Sequence, residues 1–166
     1  MSRYDDLCKH YSRSRRVHFF TLDAFQTECF EFAQYLVDRL VEYLGVPEGH
    51  WRLVPDDQEP DPSRSYTIPE ALRLVNRSAW HFGFAITLHE DQETLTAAHE
   101  FVLHLAFHKH KNVFRVAVHR GVSTDYKIRP NTDSDFEPFF EHVYNHIVDL
   151  VESEFSEIPP RPKFPA

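Results

Sequence analysis

The chain has 166 residues, 42% of them hydrophobic, and a formal net charge of −8 at pH 7. That length supports one domain with a real core, and the charge disfavours nucleic-acid binding by the surface as a whole. Only 4 glycines are present, which excludes a glycine-rich phosphate loop. No run approaches the ~18 apolar residues of a membrane span, and the first residues lack the apolar core of a signal peptide, so a cytoplasmic protein is expected.

Charge is unevenly spread. Residues 1–20 hold Arg3, Lys9, Arg13, Arg15 and Arg16 against Asp5 and Asp6, a net +3, while the remainder carries −11. Residues 1–16 read as a basic, loosely ordered arm, the one place suited to touch RNA or an acidic partner, and Val17 and Phe19 as a short entering strand. Cys8 and Cys29 lack metal-ligand spacing and are expected as free thiols.

From Leu22 to Leu44 the pattern is helical. Leu22, Phe25, Cys29, Phe32, Leu36, Leu40 and Tyr43 form an apolar stripe, with Thr21 as N-cap, Gly45 as the residue past the end and Pro47 as a block. A short strand fits Trp51 to Pro55. Asp56 to Ser65 is acidic and proline-bearing and is expected as a loop that does not pack. Ile68 to Asn76 fits two helical turns, capped by Thr67 with Pro69 in the first turn.

Two-residue alternation then dominates. Trp80, Phe82, Phe84, Ile86 and Leu88 alternate with His81, Gly83, Ala85, Thr87 and His89. Phe101, Leu103, Leu105 and Phe107 share a face and pair with Phe114, Val116 and Val118 across a turn. Placing Phe107 opposite Phe114 sets His104 opposite Ala117, Arg115 opposite Ala106 and His119 opposite Val102. Asp125 to Ile128 fits an edge strand. A last helix is expected over 135–155, opened by a Ser134–Glu137 capping box. Its stripe is Phe136, Phe140, Val143, Ile147, Leu150 and Val151. Residues 159–166 form a Pro-rich extended tail.

The expectation is one α+β domain: an antiparallel sheet of four to five strands with two long helices packed on one face. The other face sets His81, His89, His104, Arg115 and His119 above a floor of Gly83, Ala106 and Ala117, the candidate ligand- or partner-binding residues. A second protein layer, the chain's own termini or an anionic ligand would each suit that floor.

Metal spacing is not met. His104 and His108 are ~13 Å apart along one strand, too far for one ion. His142 and His146 have helical His-x₃-His spacing, but no glutamate stands between them as the metalloprotease signature requires, and their neighbours describe a solvated helix face. No nucleophile elbow, Walker loop, Cys-x-x-Cys or dinucleotide fingerprint appears. The sequence therefore predicts no cofactor and no metal. It predicts a non-catalytic protein-interaction or adaptor module, a homodimer or complex subunit. The alternative is a domain that binds an anionic small molecule, or an enzyme, using the His/Arg face.

Overall fold

The computed structural model describes residues 2–91, 96–119 and 124–156. The elements are α1 (Arg3–Leu44), β1 (Trp51–Val54), the single turn α2 (Ile68–Ala71), β2 (Arg73–Val75), β3 (Ala79–Asp91), β4 (Thr96–His110), β5 (Val113–Val118), β6 (Tyr126–Ile128) and α3 (Glu137–Ser156). The fold is α+β, and its six-stranded sheet has the order β1-β3-β4-β5-β6, with β2 sharing the β1 edge of β3. Every pairing is antiparallel. Among the described residues no helix is long and apolar enough to cross a membrane. The Pro-rich tail lies outside the described residues.

The chain divides into two compact units, residues 1–39 and residues 40–166. The first is helical from Arg3 onward, which corrects the expectation of a loose arm and an entering strand. Neither glycine nor proline interrupts residues 3–44, and Ser2 caps the start. Its hydroxyl accepts the Asp5 N–H at 3.2 Å while its own N–H donates to the Asp5 carboxylate at 2.9 Å, a reciprocal cap with Asp in the usual place of Glu. Thr21 is therefore not an N-cap. It sits inside the helix, with its hydroxyl donating to the Val17 carbonyl at 2.8 Å. The end of α1 is as expected: Gly45 has φ +63°, and the Val46 N–H reaches back to the Val41 carbonyl.

The second unit holds the sheet. Its apolar face buries Phe82, Phe84, Ile86, Leu103, Leu105, Phe107, Phe114, Val116 and Val118 together, as the alternation requires. α3 covers part of that face. Phe139 and Phe140 are buried, and the Phe139 ring lies 5.7 Å from the Tyr126 ring of β6. The last turn of α1 meets α3 where the Tyr43 ring lies tilted against Phe140, centroids 5.3 Å apart, and its hydroxyl donates to Glu141 at 2.7 Å. α3 begins at Glu137 after a 3₁₀ turn over Asp133–Asp135. Pro138 thus falls in its first turn, where a missing N–H costs little.

Two local expectations change. The helix after Thr67 closes after one turn, and Arg73–Val75 adds to the sheet instead. The β4–β5 register also slides: Phe107 faces Val116, Ala106 faces Ala117, and Arg115 faces His108. The turn is the reason. Only Lys111 and Asn112 separate the strands, with Lys111 at φ +55°, and a two-residue connection fixes pairing from its own ends. The slide is by an even number of residues, so each side chain keeps its face.

Leu105 is fully buried in the middle of the sheet. Leu105→Ala should cost about 2–5 kcal/mol of stability, read as a lower urea midpoint with an unchanged slope. A loss near zero would remove Leu105 from the core.

Candidate functional site

The polar sheet face is not an open floor. β1 pairs with β3 only from Trp51↔Ile86 to Val54↔Gly83. Pro55 follows, and beside His81 the edge of β3 is taken by β2 through Arg73. Proline cannot donate to a ladder, so the chain leaves the sheet here and residues 55–64 turn over the polar face. Of Asp56 to Ser65, expected as a loop that does not pack, all but Asp56 and Pro60 are exposed, yet the stretch is tied to the sheet by polar groups.

Two polar anchors hold it. Arg52, at Ala85 on β1's partner strand, reaches over that small residue to Glu100 on β4. Its Nε and Nη2 donate to the two carboxylate oxygens at 2.9 and 2.8 Å. The remaining Nη1 donates to the Asp61 carbonyl at 2.7 Å and the Arg64 carbonyl at 3.1 Å. One bidentate guanidinium thus ties three segments together. Within the loop, Asp61 accepts both the N–H and the hydroxyl of Ser63, and the buried Tyr66 hydroxyl accepts the Asp61 N–H at 3.1 Å.

Asp56 is the second anchor. Its side chain is 9% exposed and faces two imidazoles. Oδ2 lies 3.4 Å from His81 Nδ1 on β3, and Oδ1 bonds His104 Nδ1 on β4. His119 completes the group from the end of β5. Its N–H donates to the His104 carbonyl at 2.6 Å, which continues the slid register by one residue. Its ring meets the His81 ring edge-on, with centroids 4.6 Å apart. His81 and His119 belong to strands on either side of β4, and the row between them is His81–Ala106–Ala117. Methyl groups at Ala106 and Ala117 leave the space in which the two rings lean together.

Of the sequence-derived candidates, His81, His104 and His119 therefore converge, with Ala106 and Ala117 beneath them. Gly83 is buried under Val54. A Cβ there would run into the Val54 side chain and stand 3.2 Å from its carbonyl oxygen, so glycine permits the close approach of β1. Arg115 is not part of the cluster. The register places it opposite His108 and Lys127, with Nη1 3.9 Å from Asp125. His89 lies eight residues further along β3, about 26 Å at the rise of a strand. Its ring instead contacts His50 at 5.0 Å.

Asp56 is the residue that sequence reasoning missed. No sequence signal marked it, because the β1–β3 register that brings position 56 toward His81 is set by the tertiary pairing. A second feature lies on α1. Tyr4, Leu7, Tyr11 and Leu22 are 73, 67, 67 and 47% exposed, although they continue the helical stripe that is buried from Cys29 to Leu40.

No protein-family model, curated protein or solved structure matches this chain.

Glu100 should be the pH-sensitive anchor of the loop. Its hydrogen bonds with Arg52 hold its carboxyl below the ordinary value of 4.5. Stability from a depressed carboxylate is present above the ordinary value and is lost as pH falls through the folded one. Glu100→Gln should therefore lower stability near neutral pH, and its deficit should shrink as pH falls below the ordinary carboxylate value. Urea titrations of both proteins measure this. A deficit independent of pH would show that the ion pair contributes nothing beyond its hydrogen-bond geometry.

Proposed function

We propose that the protein is a non-catalytic interaction module that associates with a second copy of itself, and that the N-terminal half of α1 is the docking element. The observation that carries this reading is the exposure of Tyr4, Leu7 and Tyr11 at helical spacing, with Leu22 three turns further along the same line. An amphipathic helix takes most of its stability in water from a packed apolar face. A half-helix that presents tyrosine and leucine at helical spacing, with Val17, Phe19 and Phe20 also exposed and five basic residues around them, suits an acidic partner surface.

Charge favours a second α1 as that partner. Residues 1–20 carry net +3, whereas residues 21–44 hold Asp23, Glu28, Glu31, Asp38 and Glu42 against Arg39. Two such helices side by side repel when parallel and attract when antiparallel. An antiparallel pair sets each basic half against the other copy's acidic half, which also selects against wrong registers. The notion of a flat sheet face as the dimer surface loses support, because residues 55–64 turn over that face. The anionic-ligand reading also weakens, since the Asp56 carboxylate stands among its histidines.

Sedimentation equilibrium tests the proposal. The wild-type chain should be dimeric and dissociate as salt is raised. The pair Leu7→Glu and Tyr11→Glu should give a monomer whose sheet melts as before, since both side chains are exposed. A monomeric wild type at every concentration, or an unaltered dimer in the double variant, would refute docking through α1.

A further inference from the structure

The Asp56 cluster has the donor chemistry of a cation site. A carboxylate removed from water needs compensating positive charge or several donors, and here it meets imidazoles from three adjacent strands. One ligand atom each from Asp56, His81 and His119 lies within 4.8 Å of the other two. Donors bound to one zinc ion at about 2.0–2.2 Å stand roughly 3.3 Å from one another. Side-chain torsions of the three residues cover the remaining gap of up to about 1.5 Å without moving the strands.

We infer that Asp56, His81 and His119 bind one divalent transition-metal ion, zinc by preference, with His104 as the residue that positions the Asp56 carboxylate. Two neutral imidazoles and one carboxylate form a donor set that zinc takes with a net charge of +1 left on the site. The carboxylate's two oxygens have separate tasks. Oδ2 faces His81 and is the oxygen offered to the ion. Oδ1 is held by His104, which must carry its proton on Nδ1 to donate. A hydrogen bond of this kind fixes the orientation of a metal-binding carboxylate and raises its affinity.

Each ligand is set by something rigid. His81 is in the middle of β3, between its pairings with β2 and β4. His119 is tied to β4 by its own N–H. Asp56 follows Pro55, whose ring restricts the backbone at the point where the chain leaves the sheet. Three protein ligands leave a fourth position for water, as in catalytic rather than closed structural zinc sites. His119 is exposed, which leaves the cluster open to an ion and water on that side, and Asp56 and His104 also line a neighbouring cleft of about 440 Å³ with Pro55, Asp57, Glu59 and Val102.

The test uses the full chain, stripped with a chelator and titrated with Zn²⁺ by calorimetry and with Co²⁺ by visible absorption. One ion should bind per chain, and Co²⁺ should show the intense d–d bands of four- or five-coordinate geometry. His119→Ala should abolish those bands. Its side chain is exposed, so the metal-free variant should melt like the wild type. His104→Gln should weaken binding about 10–100-fold, the range for a hydrogen-bonding partner of a ligand, and His104→Ala at least as much. His142→Ala with His146→Ala, on α3 and outside the cluster, should change nothing. If the wild type takes up neither ion, the group is a hydrogen-bonded carboxylate–imidazole cluster and the inference is wrong. Wild-type affinity in both His119→Ala and Asp56→Asn would overturn it equally. If Asp56→Asn fails to fold, His119→Ala decides alone. These readouts follow the metal and not the mass, so they stand apart from self-association through α1.

Discussion

The antiparallel ladder of β3, β4 and β5 is the constraint on which the body of this protein depends. β4 pairs along most of its length with β3 on one side and, over Leu105–His110, with β5 on the other. Because side chains alternate strictly, one register decides two surfaces at once. It gathers Phe82, Leu105 and Val116 into the core, and it places His81, His104 and His119 over Ala106 and Ala117. The Lys111–Asn112 turn sets that register. A slide of one residue would send the histidines into the core and the aromatics into water. The polar cluster is thus protected by the same energy that protects the core.

The polar face shows how a sheet holds charge against itself. Small side chains at Gly83, Ala85, Ala106 and Ala117 lower the surface, and longer groups then bridge across them. Arg52 crosses Ala85 to reach Glu100. The His81 and His119 rings meet above the alanine row. Residues 55–64 are carried over this surface by Arg52 at one side and Asp56 at the other. Both anchors depend on β1 ending at Val54 and β2 taking its place beside His81.

α1 illustrates the separation of helix formation from helix burial. Apolar residues at helical spacing fall at Tyr4, Leu7 and Tyr11 and again from Leu22 to Tyr43, with Ser14, Arg15 and His18 between them on the same line, and the backbone is one helix throughout. Burial does not: Cys29, Leu36 and Leu40 are fully buried, whereas Tyr4, Leu7 and Tyr11 are exposed. Local capping by Ser2 and the absence of helix breakers explain the helix. They leave its first half with an apolar face and a basic character, the combination from which the self-association proposal starts.

The amino-acid sequence by itself determined the α+β class, the two apolar strand faces, the edge strands at Trp51 and Tyr126, the end of α1 at Gly45 and the aromatic stripe of α3. These follow from short-range periodicity and caps, which one segment carries alone. It also marked His81, His104 and His119 as facing away from the core, since alternation assigns faces without knowledge of partners. Tertiary structure decided what those faces meet. Asp56 lies 48 positions before His104, and only the exchange of β1 for β2 along β3 brings its carboxylate over the histidines. Arg115 and His89 share their face but not their place, because position along a strand depends on register. Register was decided by a two-residue turn whose backbone, positive in φ at a lysine, leaves little trace in residue type.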